Sequence, residues 1–533
     1  MLETEVLVVG AGPVGLATAC QLARLGARAH VIDALTQRTT QSRAVGIQAR
    51  SLEMLASLDV LLRLEQHGRR MRALEVISGR TGSTRAHIDL GRIPSRHPYV
   101  LDVAQPDTEA VLEERAAELG VVVERGVELT ALVQDDQGVD VTMRSAAGDR
   151  VGRFGWVVGA DGAHSATRHL LGTHLEGVFQ GHHFAMADVH VDTSLPPDAI
   201  RSFLHPDGMG FLFPMAGTRA RIMFFVDAPP PGVKEPTWEQ IRALADERMG
   251  GLVRVHDPYW LTYFEVHHAQ VPHYRHGRVL LAGDAAHVHS PIGAQGMNTG
   301  IQDAANLAWK LALVAQGRAD AALLDSYQNE RHPIGASVVR NTARFTAVGG
   351  SSDIPGALRD VALFLAGHLQ PIGKRVATNV AELTVGYRNS ALSVQHGAHR
   401  RAPARAGDHA PDPVGLLRLD STPVSIEELL IQPGMLVLLR TEDAETGRAL
   451  RQILGDLGRV VQIVNTTDSA VGEPRDCLVD PDDAIGREYG LGPDGLALIR
   501  PDGYIGLIAN PADPQALRHY LRDTLGVVER AAV

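Results

Sequence analysis

The first fifty residues alternate between short apolar runs and polar or glycine-rich turns. Residues Val6 to Val9 form a continuous apolar run, which is typical of a parallel strand buried on both faces. A glycine-rich turn follows, and the apolar positions of 16–25 then recur at helical spacing until Gly26. A second apolar run over 29–32 ends at Asp33. This order predicts one βαβ unit of a dinucleotide-binding sheet.

Farther along, the pattern divides the chain into regions of different character. A β-rich region runs from 183 to 268, and one helix is predicted within it over 237–248. An apolar run at 279–282 restores the buried-strand pattern, and mostly helical sequence follows from 296 to 345. Residues 388–432 hold several prolines and glycines with little periodicity, so we predict a domain boundary there.

Shorter elements fill the remaining regions. After residue 100 the sequence predicts a helix over 107–119 and strands over 121–124, 129–134, 139–143 and 154–159. In the last hundred residues it predicts strands and helices over 435–439, 448–457, 460–464, 496–500, 504–508 and 514–525. Strands that alternate with helices predict an α/β protein, α+β overall, with a parallel sheet at its N-terminus.

Composition narrows the class of protein. The chain has 533 residues, so two or three domains are expected, and 44% hydrophobic with 21% charged residues fits a packed globular protein. A net charge of -11 and scattered basic residues argue against nucleic acid and anionic membranes as partners. Two cysteines are too few for a disulfide scaffold or a zinc ribbon. With an acidic N-terminus and no long apolar stretch, we expect a soluble, cytoplasmic protein.

The turn after the first strand reads Gly-Ala-Gly-Pro-Val-Gly over residues 10–15. Gly10 permits a tight turn, Gly12 lets the backbone approach a pyrophosphate, and Gly15 allows the helix to pack closely on the strand. The free N–H groups at the helix N-terminus favour phosphate. Asp33 is placed to accept hydrogen bonds from a ribose 2′-OH and would repel a 2′-phosphate. The cofactor is therefore predicted to be FAD or NAD, and not NADP.

Two further motifs separate these cofactors. Residues 159–168 read Gly-Ala-Asp-Gly-Ala-His-Ser-Ala-Thr-Arg, and residues 283–287 read Gly-Asp-Ala-Ala-His. With the glycine turn, and with the extension through 291–300 and 302–311, they resemble the three motifs of the flavoprotein aromatic hydroxylases, the single-component or class A FAD monooxygenases. The three-part layout most resembles bacterial hydroxylases of aromatic polyketides.

The resemblance implies a set of cofactor contacts. Asp284 is expected to bind a ribityl hydroxyl of FAD, and Arg43 and Gln105 to contact its ribose, pyrophosphate or backbone. Asp161 is expected to touch FAD in a motif that also helps to bind the nicotinamide transiently. The complete set of expected cofactor-binding residues is Gly10, Gly12, Pro13, Val14, Gly15, Asp33, Arg43, Gln105, Asp161, Asp284, Pro291, Gly293, Gly296, Met297 and Asn298.

The resemblance also implies the reaction. NADPH or NADH reduces noncovalently bound FAD, the reduced flavin and O2 form a C4a-hydroperoxide, and one oxygen passes to an electron-rich aromatic carbon. Backbone N–H groups of Met297 and Asn298, at a helix N-terminus, are expected to face flavin N1 and O2 and stabilise the anionic reduced flavin. No metal site is predicted; His287 and His289 form an HxH pair, which we interpret as structural. The sequence identifies no catalytic base.

The expected domains follow from these assignments. Residues 1–175 and 270–387 are predicted to form a Rossmann-like FAD-binding domain, with a β-sheet substrate domain inserted over 176–269. Residues 388–533 resemble a linker and a thioredoxin-like domain, in which Cys477 stands alone, so we interpret this domain as a structural or oligomerisation module. In the substrate domain, the sheet is predicted to roof the pocket with an apolar face of Phe184, Met186, Phe211, Phe213, Met223 and Phe225. Such stripes are more often plain core than pocket, so none of these residues is named as catalytic.

Several alternatives remain open from the sequence. The same flavin could perform Baeyer–Villiger oxidation or epoxidation, and the substrate could be a simple phenol or a hydroxyphenylpropionate. A non-catalytic flavin-containing protein that binds an aromatic antibiotic is the non-enzyme hypothesis. A flavin halogenase is disfavoured, because none of the four tryptophans lies in a WxWxIP segment. The protein is expected to be a monomer or a homodimer.

Overall fold

The structure is a computed structural model, and it describes residues 4–42, 44–288, 295–350, 370–397, 403–465 and 476–528. Three large β-sheets and a set of helices account for most of these residues. This arrangement confirms the expected mixed α/β fold. None of the described helices is long and apolar enough to cross a membrane.

The elements are numbered in chain order. The helices are α1 Pro13–Arg24, α2 Ala49–Ala56, α3 Leu61–His67, α4 Gln105–Glu118, α5 Ala166–Leu170, α6 Trp238–Arg248, α7 Gln295–Ala315, α8 Asp325–Gly350, α9 Gln370–Val380, α10 Ile426–Ile431, α11 Ala444–Leu454, α12 Ala484–Tyr489 and α13 Pro514–His519. The strands are β1 Thr4–Val9, β2 Ala29–Asp33, β3 Gly46–Ile47, β4 Arg69–Met71, β5 Ala73–Ser78, β6 Thr84–Asp89, β7 Val100–Asp102, β8 Val122–Arg125, β9 Glu128–Gln134, β10 Val139–Ser145, β11 Gly148–Gly159, β12 Glu176–Thr193, β13 Ala199–Leu204, β14 Gly210–Pro214, β15 Arg219–Val226, β16 Val253–Gln270, β17 Arg275–His276, β18 Val279–Leu281, β19 His287–Val288, β20 Val394–His396, β21 Leu417–Arg418, β22 Met435–Arg440, β23 Gly458–Val464, β24 Cys477–Val479, β25 Gly495–Ile499 and β26 Ile505–Ala509.

The first sheet contains the predicted βαβ unit. Its strand order is β17-β18-β11-β1-β2-β8, and β9 and β10 form a hairpin layer that joins through β11. Strands β1, β2, β8, β11 and β18 pair in parallel, and the apolar side chains of the central strands β1 and β18 are buried on both faces. The carboxyl ends of β1, β11 and β18 therefore lie side by side, where ligands bind in open α/β sheets.

The second sheet has the order β19-β16-β12-β15-β14-β13-β5-β6. It extends beyond residues 176–269, because β5 and β6 from the N-terminal part pair onto its edge. One face packs against α6 through a cluster that includes Phe203, Ile222 and Ile241. The other face carries most of the large aromatic and methionine side chains of the domain. The small sheet β3-β7-β4 provides the connection to the first domain.

The third sheet, of order β20-β26-β25-β22-β23-β24-β21, belongs to the C-terminal part of the chain. Strand β22 pairs in parallel with β23 and antiparallel with β25. One of its faces shares a hydrophobic cluster with α1 and α7, and Met435, Leu496 and Leu507 contribute to it. The C-terminal sheet is thus packed into the same core as the first sheet.

Candidate flavin and substrate site

The three sequence motifs converge at the carboxyl ends of β1, β11 and β18. Gly10 has φ +105°, and a Cβ there would collide with the backbone of Ala160 in the second motif. A Cβ on Gly300 in α7 would collide with the side chain of Val14, which also lies against Gly283 of the third motif. Glycine at these positions permits close approach of the backbones. Residues almost three hundred positions apart therefore form one continuous surface.

Gly12 differs from the other glycines of this turn. Its φ is -79°, which any residue adopts, and a Cβ added there would meet no protein atom within 4 Å. Gly15, in contrast, packs so closely on the backbone of Gly10 that a Cβ would overlap it. The turn at Gly12 faces open space at the N-terminus of α1, with Pro13 at its first position. Free N–H groups beside open space fit a pyrophosphate.

Asp33 is held in a fixed orientation at the end of β2. The backbone N–H of Ala11 donates to its Oδ2 at 2.7 Å, and that of Leu35 donates to its Oδ1 at 2.8 Å. Each carboxylate oxygen can accept further hydrogen bonds. The side chain therefore links the glycine turn to β2 and keeps acceptor capacity, which fits recognition of a ribose.

Asp284 lies on a single turn of 3₁₀ helix after β18, and its side chain is exposed although its neighbours are buried. Its Oδ1 lies 4.0 Å from the position of a Cβ on Gly296, at the beginning of α7. An exposed carboxylate between the glycine turn and a helix N-terminus fits an acceptor for polyol hydroxyls. This geometry agrees with a ribityl contact.

The first turn of α7 is anchored by Asn298, which is fully buried. Its Nδ2 donates to the carbonyl of Gly46 at 2.9 Å, and its Oδ1 accepts from the N–H of Gln48 at 2.9 Å. Because the side chain is used in this way, Asn298 can offer a ligand only its backbone groups. The helix is 21 residues long, so its N-terminal dipole favours negative charge there.

The side chain of Asp161 belongs to local structure. It accepts hydrogen bonds from Ser165 Oγ at 2.5 Å and from the Thr167 N–H and hydroxyl at 2.9 and 3.0 Å. Arg168 on the same helix donates to the carbonyls of Ala163 and Ala285, at 2.6 and 3.2 Å. The second motif therefore holds the third motif in place through Arg168, and Asp161 shapes the N-terminus of α5.

The other predicted cofactor residues are placed only in part. Gln105 is the first residue of α4. Its backbone N–H donates to Ser42 Oγ at 3.1 Å, and its side-chain Nε2 donates to Glu109 at 2.8 Å. Arg43, Pro291 and Gly293 lie outside the described residues, as does His289. Of their described neighbours, Ser42 accepts a hydrogen bond from Arg221 through its carbonyl, and Gly296 lies in the first turn of α7 near Asp284.

Sequence reasoning missed a buried polar cluster beneath α7. The carboxylate of Asp303 accepts hydrogen bonds from the N–H of Gly283 at 3.1 Å and from Arg331 Nε at 2.7 Å. It also lies 2.6 Å from His287 Nε2. Burial alone would raise the pKa of Asp303, but His287 and Arg331 lower it to about 2. Arg331 Nη2 also donates to the carbonyl of Thr299 at 3.1 Å. The ionised Asp303 thereby fixes the third motif against the first turns of α7, and His287 has the structural role that its sequence suggested.

Glu382 is a second buried acid beneath α7, in a left-handed backbone conformation with φ +58°. Its Oε2 accepts from Gln302, and its Oε1 has no hydrogen-bond partner among the described residues. Burial raises the pKa of Glu382 to about 8, and Arg331 opposes this only in part. The folded protein therefore holds a proton on Glu382 at neutral pH.

We expect Glu382→Gln to change the pH dependence of stability. Because the folded pKa lies above the unfolded value, the wild type should lose stability as pH rises from about 4.5 to about 8. Glutamine cannot ionise, so the variant should be more stable at pH 8 by on the order of 1–3 kcal/mol and similar at pH 5. Urea unfolding at both pH values measures this difference. Exposed Glu128→Gln serves as the control, and equal pH profiles for Glu382→Gln and wild type would contradict the buried proton.

One face of the second sheet carries a cluster of aromatic and methionine side chains, which we call the aromatic surface. Val45 and Ala104 of the first domain pack against it, next to β3 and β7. Phe184 packs against Phe225, with ring centroids 4.2 Å apart and ring planes tilted by 40°. All six side chains predicted to roof the pocket lie on this surface, together with Met215, and Trp260 and Phe264 are packed beside it. Flexible thioethers and aromatic rings suit a large, flat apolar ligand.

One group of three possible metal ligands occurs in the part of the chain that the structure describes: His205, Asp207 and Glu247. Asp207 and Glu247 are exposed. His205 and Asp207 follow β13 and Glu247 lies in α6, so the group is outside the three sequence motifs.

The glycine turn, the oriented Asp33 and the helix N-termini together define a dinucleotide-binding flavoprotein site. The chain matches the family model described as FAD binding domain over residues 3–342. It therefore belongs to this family, and it is an FAD-dependent monooxygenase of the class A flavoprotein hydroxylases.

Individual relatives match this chain over nearly its whole length. 6-Methylpretetramide 4-monooxygenase of Streptomyces rimosus is 35% identical over 517 residues, which cover 94% of this chain and 90% of the relative. The solved anhydrotetracycline hydroxylase from Streptomyces rimosus has a TM-score of 0.78 and 31% identity, covering 98% of this chain and 99% of that one. The solved structure of an aromatic hydroxylase from angucycline biosynthesis has a TM-score of 0.78 and 30% identity. The match covers 99% of this chain and 100% of that one.

Proposed function

We propose that the protein hydroxylates a polycyclic aromatic polyketide, using NADPH or NADH and O2. The observation that carries this proposal is the aromatic surface of the second sheet, against which Val45 and Ala104, next to β3 and β7, pack. Its aromatic rings and thioethers would suit the flat, apolar faces of fused rings. The similar proteins act, by their names, on tetracycline-type or angucycline compounds, which supports the same class here.

We assign cofactor roles to the chain's own residues on the same basis. Gly12 and the N-terminus of α1 would hold the pyrophosphate, and Asp33 the adenosine ribose. Asp284 would accept from the ribityl chain, and the backbone N–H groups of Met297 and Asn298 would donate to the flavin pyrimidine. Bound FAD supplies the chemistry that reduces and activates O2 with electrons from the nicotinamide.

The aromatic surface would orient the substrate and exclude water from the reacting atoms. Among the described residues, no side chain stands out as a catalytic base, and we assign none. Arg43 and Gln105 would contact FAD beside this surface. Asp161 would contribute to the FAD site indirectly. It accepts from the N–H of Thr167 in α5, and Arg168 of the same helix donates to Ala285 in the third motif.

The domain organisation is also part of the proposal. Residues 1–175 with 270–387 would form the FAD-binding domain, 176–269 the main part of the substrate domain, and 388–533 a linker with a thioredoxin-like domain. The parallel pair β22 and β23 beside the antiparallel pair β25 and β26 supports a thioredoxin-like arrangement. Cys477 is buried and unbridged, which supports a structural module without a dithiol centre. We also propose that the protein is a cytoplasmic monomer or homodimer.

The proposed function is tested with anhydrotetracycline and 6-methylpretetramide as probes. We expect a probe to accelerate flavin reduction by NADPH under anaerobic conditions, because substrate binding should gate contact with the nicotinamide. With O2 present, the product should be heavier by one oxygen atom and carry a new ring hydroxyl, determined by mass spectrometry and NMR.

Other products would decide between the alternatives. A ring-expanded ester indicates Baeyer–Villiger oxidation, and an oxirane indicates epoxidation. Turnover of simple phenols alone would support the phenol-type alternative. Tight probe binding without NADPH consumption would support a non-catalytic binding protein. An oxygen-dependent reaction with none of these products would contradict the proposed substrate class.

A further inference from the structure

Methionine is concentrated on the aromatic surface. Met186, Met215 and Met223 belong to it and Met209 packs beside it, which makes four of the chain's eleven methionines. Leucine fills a core position of about the same volume equally well, and methionine differs from it by carrying a sulfur that accepts an oxygen atom. The proposed function uses these side chains only for their shape and leaves the chemistry of the sulfur unused.

Met186 and Met223 are neighbours on this surface. They are directly opposite each other on the antiparallel strands β12 and β15, and Phe211 on β14 is opposite Met223 in turn. Side chains in such positions share one face of the sheet, with their Cβ atoms about 5 Å apart. The exposed fraction rises along this row, from 1% for Met186 to 3% for Met223 and 9% for Phe211. Met223 therefore borders the part of the row that keeps accessible area.

The first domain contacts the aromatic surface at two places, and both continue directly into the proposed flavin site. Val45 packs against the surface, and the next residue, Gly46, accepts through its carbonyl from Asn298 in the first turn of α7 at 2.9 Å. Ala104 also packs against the surface, and the next residue is Gln105. Oxygen that bound FAD activates would meet a substrate between these two parts of the protein, next to the methionine side chains.

We propose that this pair is an internal oxygen acceptor: without an aromatic substrate, the protein oxidises its own Met223, and to a smaller extent Met186, to the sulfoxide. Bound FAD supplies the activation of O2, as in the monooxygenase reaction. The reduced cofactor contributes two electrons, and the thioether sulfur contributes two. The O–O bond breaks, one oxygen atom forms the S–O bond, and the other leaves as water with two protons. Reduced FAD, O2 and thioether thus give FAD, water and sulfoxide.

The product changes the surface on which it forms. A sulfoxide is polar whereas the thioether is apolar, so oxidation places a hydrogen-bond acceptor without a partner among aromatic rings. Flat apolar ligands should then bind more weakly. An enzyme that activates O2 with an empty site would thereby lower its own affinity for substrate until the sulfoxide is reduced. The inference rests on the proposed function only in placing the substrate site on the aromatic surface.

Peptide mass spectrometry tests this inference without any substrate. The FAD-loaded protein is reduced anaerobically with stoichiometric dithionite and mixed with O2 in repeated cycles, with catalase present to remove free hydrogen peroxide. We expect about tenfold more sulfoxide at Met223 than at Met143 and Met249, and none in a sample kept anaerobic. Met143 and Met249 are as buried as Met223, at 1% and 0% exposed, but pack in other clusters of the core. Equal oxidation at all three positions, or none at Met223, overturns the inference.

Leucine variants give the second arm of the test. Met223→Leu conserves volume, so it should retain FAD and unfold within a few degrees of wild type. After the same cycles, wild type should bind anhydrotetracycline several-fold more weakly than before, whereas Met223→Leu should keep most of its starting affinity. Met249→Leu, the control, should behave as wild type, and methionine sulfoxide reductases should restore wild-type binding.

A loss of affinity as large in Met223→Leu as in wild type overturns the inference. If anhydrotetracycline does not bind the untreated protein, the proposed substrate class fails, and the peptide analysis still decides whether Met223 accepts oxygen.

Discussion

Arg500→Met should destabilise the protein by about 3–5 kcal/mol, the usual cost of leaving buried charges without their partner. Arg500 is fully buried at the end of β25, and it binds both oxygens of Glu330 on α8, at 2.7 and 3.0 Å. It also donates to Asp502 Oδ1 at 3.0 Å. Without Arg500, the carboxylates of Glu330 and Asp502 would share only Lys310, whose Nζ lies 2.7 Å from Glu330. Urea unfolding, followed by circular dichroism, measures the loss.

The same variant should also weaken FAD binding. Asp502 accepts from Asn306 and Trp309 on α7, both at 3.2 Å, so the C-terminal hairpin holds the helix whose N-terminus is proposed to face the flavin. Flavin retained after gel filtration is the second measurement. Removing both charges in Arg500→Met/Asp502→Asn restores the charge balance and should recover part of the stability.

The control for this prediction is the exposed pair Arg144 and Asp149. Its side chains are 58% and 49% exposed, so Arg144→Met should cost less than about 1 kcal/mol. If Arg500→Met were no more destabilising than Arg144→Met, the buried network would not hold the C-terminal sheet on α7. The domain would then be an independent module.

The contrast between these networks and the βαβ unit explains what the sequence could predict. The strand, glycine turn, helix and Asp33 lie within thirty consecutive residues, and each is determined by local spacing. β1, α1 and β2 accordingly begin and end within three residues of their predicted limits. The sequence also predicted correctly that the six apolar side chains share one face of the second sheet, because side chains alternate along β12, β14 and β15.

Other features depend on long-range contacts that no local pattern records. Arg500 and Glu330 are 170 residues apart, and their pairing exists only because the third sheet packs on α7 and α8. The sequence analysis assigned no elements between residues 50 and 100, although β5 and β6 lie there and complete the substrate sheet.

Gly12→Ala should abolish most FAD binding while leaving the fold intact. The backbone at Gly12 is extended, and a Cβ would meet no protein atom within 4 Å, so the apoprotein should unfold within a few degrees of wild type. An added methyl group would instead occupy the space through which a pyrophosphate approaches the N–H groups of α1. We expect the FAD dissociation constant to rise at least tenfold, which corresponds to about 1.4 kcal/mol.

Two other glycine-to-alanine variants serve as controls for Gly12→Ala. Gly15→Ala should fail at the level of folding, because its Cβ would overlap the backbone of Gly10. Gly447→Ala, within α11 of the C-terminal domain, meets its nearest protein atom at 3.4 Å and should leave FAD affinity unchanged. Fluorescence titration of the wild-type, Gly12→Ala and Gly447→Ala apoproteins with FAD gives the dissociation constants. Wild-type affinity in a folded Gly12→Ala protein would place the pyrophosphate elsewhere, because only a bound ligand gives this position a reason to lack a side chain.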